Sequence, residues 1–185
     1  MILGIDLDGV VYDFCGHFAR FINSYTGKSL DEMPAPKQWD FWHEWGLSFD
    51  EWFAHFNAFG NTGGFAVGGP VDGAVESLQV LATAGHRIAI VTARGCERGA
   101  RPEQAEAVRL STVQWLRTHA IPHHDICFTN NKTLIGADLF LDDASHHLKA
   151  IQEIGKRAVC FDQAHNRDWT GERVTSWKEF EQLCR

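Results

Sequence analysis

Ile2-Leu3-Gly4-Ile5-Asp6-Leu7-Asp8-Gly9-Val10-Val11-Tyr12-Asp13 is the stretch on which the reading of this chain turns. Its apolar residues, interrupted only by Gly4 and Asp6, make a short run of the kind that forms a buried strand, here over 2–7. Asp6 and Asp8 then stand at the strand's carboxyl end, one residue apart along an extended backbone. Two carboxylates so close repel unless a cation or a proton lies between them. Oxygen-only donors suit Mg²⁺, which keeps several of its waters and usually shares a substrate phosphate. An Asp-x-Asp pair is common in turns and caps. Its position directly after an N-terminal apolar strand, with Gly9 following, is what gives it weight.

Outward from this stretch the chain alternates. Residues 71–84 carry Val75, Leu78, Leu81 and Ala82 at helical spacing and stop at Gly85. Arg87-Ile-Ala-Ile-Val-Thr92 is a second strand, rich in β-branched residues, and 103–119 reads as helix with Val108, Val113 and Leu116 on one face. Short apolar runs at 126–128 and 139–141, a helix over 145–154, a strand over 157–161 and a last helix over 177–183 complete the series. Strands alternating with helices predict an open, Rossmann-like α/β fold, a parallel sheet with helices on both faces.

Residues 14–69 break that rhythm. Ten aromatics lie between Trp39 and Phe65, and Trp45, Phe49, Trp52, Phe53 and Phe56 recur at three- and four-residue steps, which marks one amphipathic helix. Pro34 and Pro36 precede it, and Gly63-Gly64 and Gly68-Gly69 follow as a candidate hinge. The expected organisation is therefore a core of 1–13 and 70–185, with a small helical cap over 14–69 inserted after the first strand. Most of the cap aromatics read as the cap's own core.

Composition narrows the function classes. A length of 185 residues fits one domain with a small insertion. The net charge of −7 argues against a partner made of extended nucleic acid, which needs a basic surface. No apolar run approaches the ~20 residues of a membrane span. Five scattered cysteines without a Cys-x-x-Cys spacing, and no basic start followed by an apolar stretch after Met1, point to free thiols in the cytoplasm. The adjacent pairs His123-His124 and His146-His147 lack the i, i+4 spacing of a helical metal motif and read as surface or packing residues.

In a parallel α/β sheet, ligands sit beyond the carboxyl ends of the strands. Three more such ends carry fitting groups. Thr92-Ala93 offers a hydroxyl and free backbone N–H groups for phosphate oxygens. Lys132, after the 126–128 strand, brings a compact positive charge to the same rim. Asp142-Asp143 follows the 139–141 strand and can complete a metal shell. Four suitable residue types at four strand ends point to one phosphate-handling site. Arg94, Arg98 and Arg101 lie in the loop beyond Thr92, either reaching the substrate or standing as solvated charge.

On these residues the chain resembles the haloacid dehalogenase superfamily of aspartate-nucleophile phosphatases, and within it the 5′(3′)-deoxyribonucleotidases. The run from Asp6 to Asp13 matches a DxDGVxxD opening, and Lys132-Thr133-Leu134-Ile135-Gly136-Ala137-Asp138-Leu139-Phe140-Leu141-Asp142-Asp143 matches K-T-x-x-x-A-D-x-x-x-D-D. Thr92-Ala93-Arg94 stands where relatives commonly carry Thr-Ser-Pro, and Asn130 where they tend to carry Arg. The resemblance implies a Mg²⁺-dependent phosphomonoesterase in which Asp6 forms an aspartyl-phosphate and Asp8 acts as acid and then base. It implies Mg²⁺ on the Asp6 carboxylate, the Asp8 carbonyl and Asp142, with Thr92, Ala93 and Lys132 on the phosphate. Asp143 either binds the metal through water or orients Lys132; Asp13 braces the turn or meets substrate. The expected substrate is a small phosphomonoester, a nucleoside monophosphate whose base stacks on Phe18, Trp39, Phe41 or Trp42. The rivals are a sugar-phosphate phosphatase, a phosphatase of polynucleotide ends (disfavoured by the acidic balance), and a non-catalytic phosphoryl-binding module that would leave Asp6 and Asp8 idle.

Overall fold

The computed structural model describes residues 1–96 and 101–185. Its strands are β1 (Ile2–Ile5), β2 (Arg87–Thr92), β3 (Asp125–Phe128), β4 (Leu139–Asp142), β5 (Arg157–Phe161) and β6 (Arg173–Val174). The helices among the described residues are α1 (Phe14–Thr26), α2 (Phe49–Asn61), α3 (Ala74–Thr83), α4 (Pro102–Thr118), α5 (Ser145–Glu153) and α6 (Trp177–Leu183). All strand pairs are parallel and the order is β3-β2-β1-β4-β5-β6. This is the doubly wound order whose topological switch lies between β1 and β4.

Side-chain alternation explains why both faces are covered. Leu3, Ile5, Ile88, Ile90, Leu139, Leu141 and Val159 pack with Leu78 and Leu81 of α3 and with Trp177 and Phe180 of α6. The residues one step out of phase, Phe140, Ala158 and Cys160, pack with Leu148 and Ile151 of α5. The Rossmann-like α/β architecture is thus as the sequence predicts. β6 was not foreseen, because a two-residue edge strand has no periodicity to detect.

Between β1 and β2 the chain makes α1, α2 and several 3₁₀ turns around a second apolar cluster of Phe18, Ile22, Phe41, Trp45, Phe59 and Phe65, to which α4 adds Val108. The single amphipathic helix expected from Trp45 to Phe56 is in fact two elements. Gly46, at φ 64, closes a 3₁₀ turn over Phe41–Trp45, and a capping box of Ser48 and Glu51 starts α2 at Phe49. Trp45 therefore lies outside α2, buried, with its indole N–H donating to the Pro34 carbonyl at 2.9 Å. The two chain crossings between this region and the sheet lie side by side. Tyr12 bridges to Pro70, Val71 N–H donates to Val11 O at 2.8 Å, and Gly69 N–H donates to His17 Nε2 at 2.8 Å. No helix among the described residues is long and apolar enough to cross a membrane.

Candidate active site

β1 ends because the chain must turn. Asp6 N–H still donates to Leu141 O at 2.9 Å, after which Val11 and Tyr12 both return their N–H groups to Leu7 O. Gly9 takes φ 75, and a Cβ there would lie 2.2 Å from Asp143 Oδ2, so only glycine lets this loop rest against β4's end. The loop is held from outside by Trp177 and Gln163, which donate to Val10 O at 2.9 Å and Gly9 O at 2.6 Å. Asp13 leaves it as the N-cap of α1, its Oδ1 accepting from Gly16 N–H at 3.0 Å.

Four buried charges meet at the switch point. Lys132 Nζ lies 2.6 Å from both Asp6 Oδ1 and Asp142 Oδ2. Asp142 Oδ1 accepts from Ala144 N–H at 3.0 Å, and Asp143 Oδ2 faces His165 Nε2 at 3.2 Å. Ligand atoms of Asp6, Asp142 and Asp143 all lie within 4.8 Å of one another. Burial pushes the Asp6 carboxyl well above its ordinary range; Lys132 pulls it down, while Asp142, Asp143 and Asp8 push it further up. Asp143 is raised too, by burial first, with His165 acting against the shift. Burial alone would lower Lys132, but the charges of Asp142 and Asp6 hold its ammonium above the ordinary lysine value. One lysine among three buried carboxylates leaves the cluster short of positive charge. Hard oxygen donors with a charge deficit fit Mg²⁺. The Lys132 ammonium donates to Asp6 and Asp142, while Asp143 faces His165.

A cavity of about 310 Å³ opens above this cluster. Asp6, Asp8, Asp13, Ala93, Arg94, Lys132 and Asp143 line it, together with the aromatic Trp39, Phe41 and Trp42. Thr92 and Asp142 sit just behind the wall, and the Thr92 hydroxyl accepts from Arg94 N–H at 3.2 Å. Phe18 is not part of the cavity. It is fully buried among Phe14, Trp45, Trp52, Phe56 and Phe59, because its position on α1 faces the second core. Arg94 is not a solvated loop charge: it is 3% exposed and grips Asp8 at 2.6–3.1 Å. Arg101 is exposed, and Arg98 lies outside the described residues.

Several cavity residues have no sequence signature. Phe14, Trp52, Phe56 and Phe65 extend the aromatic wall, and Gln163, His147 and His165 come from beyond β4. His147 corrects the surface-or-packing reading of its pair: it lines the cavity, and burial lowers its pKa to about 4, leaving it neutral near pH 7. Trp39 is half exposed and stands edge-on to His146 and His165, with ring centroids at 5.1 and 5.5 Å. The one sign that could have found His165 is that it follows β5, another strand end at the same rim.

Comparison with known proteins identifies the family and the fold. The chain matches, over residues 1–185, the family model described as "5' nucleotidase, deoxy (Pyrimidine), cytosolic type C protein". A protein of Chlorobaculum tepidum, whose name places it provisionally among the 5'(3')-deoxyribonucleotidases, is 31% identical over 181 residues, covering 97% of this chain and 87% of the relative. The 5'(3')-deoxyribonucleotidase of Bacillus subtilis strain 168 is 24% identical, covering 97% and 96%. Among solved structures, a haloacid dehalogenase-superfamily hydrolase of Geobacter sulfurreducens superposes with a TM-score of 0.54 at 16% identity, covering 98% of each chain, which supports the shared fold. The chain belongs to the 5' nucleotidase, deoxy (pyrimidine), cytosolic type C family, phosphoric monoester hydrolases of the haloacid dehalogenase superfamily.

Proposed function

We propose that the protein hydrolyses nucleoside monophosphates, deoxynucleotides in particular, through an aspartyl-phosphate on Asp6. The observation that carries this reading is the Asp6–Lys132–Asp142 cluster at the floor of a cavity that also has an aromatic wall. Residues 14–69 act as the cap that supplies that wall.

Asp6 attacks phosphorus while the bond to the substrate oxygen breaks, and Asp8 delivers its proton to the departing alkoxide. Asp8 then takes a proton from water as the water oxygen attacks phosphorus. The bond to Asp6 breaks, and inorganic phosphate leaves. Lys132 draws charge from the phosphoryl oxygens, and the backbone N–H groups after Thr92 orient them. Asp6, Asp142 and, directly or through water, Asp143 would hold Mg²⁺, with the Asp8 carbonyl as a further ligand; the ion supplies the positive charge that lets an anionic nucleophile meet an anionic phosphate. The five unpaired cysteines support a reducing compartment, the cytoplasm.

Phosphate release measured over deoxynucleotides, ribonucleotides and sugar phosphates tests the substrate class, with deoxynucleoside monophosphates expected to give the highest kcat/KM. Trp39→Ala or Trp42→Ala should raise KM for nucleotides roughly 5- to 100-fold, the equivalent of one lost stacking contact. KM for a small generic phosphate ester should hardly move. Sugar phosphates outperforming every nucleotide would leave a phosphatase of another class. Removal of divalent ions with a chelator should abolish turnover, and Mg²⁺ should restore it. Full activity in metal-free buffer would contradict the metal assignment.

A further inference from the structure

Arg94 is a buried side chain of the cavity wall, tethered several times over. Nε lies 3.1 Å from Asp8 Oδ1 and 2.9 Å from Oδ2, and Nη2 lies 2.6 Å from Oδ1. The rest of the guanidinium is fixed from three directions. Its Cζ lies 4.3 Å from the Tyr12 ring centroid and 4.4 Å from that of Phe65, and Nη1 donates to Thr112 Oγ1 at 3.3 Å. Thr112 is itself held, donating to Val108 O at 2.9 Å. Three elements thus converge on one cation: the loop after β1, the 14–69 segment and α4. Asp8 is the opposite case, a short side chain 32% exposed at the cavity wall. A planar fork with two parallel contacts fixes a carboxylate's plane as well as its distance, which an ammonium cannot do.

We propose, resting on the phosphohydrolase reading above, that Arg94 is the positioning residue of Asp8. It holds the proton-transferring carboxylate in one rotamer and, through Phe65, ties that rotamer to the packing of the 14–69 segment. Two of the three short contacts fall on Oδ1, so Oδ2 is the oxygen with room to carry the proton that it donates to the substrate's leaving oxygen, and then to accept one from water.

The test compares leaving groups. kcat/KM covers every step through expulsion of the alcohol. An alkoxide needs a proton on departure, whereas a nitrophenolate leaves without one. Arg94→Met should lower kcat/KM about 10²-fold on a deoxynucleoside monophosphate and less than about 5-fold on p-nitrophenyl phosphate, the span expected for misplaced general acid catalysis. In an Asp8→Asn background the same Arg94 substitution should add little, because its effect passes through Asp8. Arg94→Lys keeps the buried charge without the fork and guards against a misfolded Arg94→Met protein; its smaller loss should show the same split. Equal losses on the two esters, or a full additional loss in the Asp8→Asn background, would show a structural role and overturn the proposal. If a sugar phosphate proves the better substrate, it replaces the nucleotide as the alkyl ester, so the substrate assignment and the Arg94 assignment fail separately.

Discussion

Asp6→Asn should remove turnover, by on the order of 10⁴-fold or more in kcat, without weakening the fold. The amide is nearly isosteric and still accepts from Lys132, but it is barely nucleophilic. Stability follows from the direction of the Asp6 shift. Its folded carboxyl is raised above the ordinary value, chiefly by burial, so the folded state resists ionising it. A group of that kind contributes stability below its unfolded pKa and loses it as pH rises through the folded pKa. Holding Asp6 ionised in the fold therefore opposes stability, and an uncharged replacement removes that opposition. Melting in metal-free buffer at pH 7 should give a Tm equal to or above that of the parent. A pure Asp6→Asn protein with turnover within tenfold of the parent would rule out the covalent route.

Lys132→Met should act in the opposite sense, inactivating the protein and destabilising it together. Lys132 is the cation between Asp6 and Asp142 at 2.6 Å each, and all three side chains are buried. Removing one partner of a buried ion pair costs roughly 3–5 kcal/mol. At about 2–4 °C per kcal/mol for a chain of this size, Tm should fall by about 10 °C. The deficit should shrink as pH is lowered, because protonated carboxyls no longer repel. Added Mg²⁺ should recover part of the lost Tm without restoring phosphate release, which separates charge neutralisation from catalysis. An unchanged Tm would mean that the two carboxylates do not depend on this lysine.

What the sequence reveals and what it hides differ by range along the chain. Asp6, Thr92 and Asp142 each follow a short apolar run directly, and Lys132 stands four residues beyond one, so a strand end and its polar residue are read together. Their convergence then follows from the parallel order of the sheet. Arg94 and Asp8 are far apart in sequence, and no pattern announces that a loop arginine will be buried against two rings. Helical phase places Phe18 on the same footing as Trp39, since both are aromatics near a polar cleft. Only the packing of α1 against the second cluster sends Phe18 inward, while Trp39, on an irregular stretch, reaches α5. Trp45 misled for a similar reason: its spacing fits α2, but Gly46 breaks the chain before Ser48 can cap the helix.

The paired crossings at Tyr12–Pro70 and His17–Gly69 make the 14–69 segment an excursion that leaves and re-enters the sheet at nearly one point. Closure entropy grows only slowly with loop length, so a longer, shorter or different excursion hung on the same two strands would leave the sheet's register almost untouched. The phosphate-handling groups after Tyr12 all come from chain beyond Pro70. On the proposed reading, most of the substrate-facing aromatic lining and the phosphoryl chemistry lie on different lengths of polypeptide. On that reading, exchange of the excursion between relatives would alter what enters the cavity and leave Asp6, Lys132 and Asp142 in place, while Asp8 would keep its rotamer only where the new segment restores the Phe65 contact to Arg94.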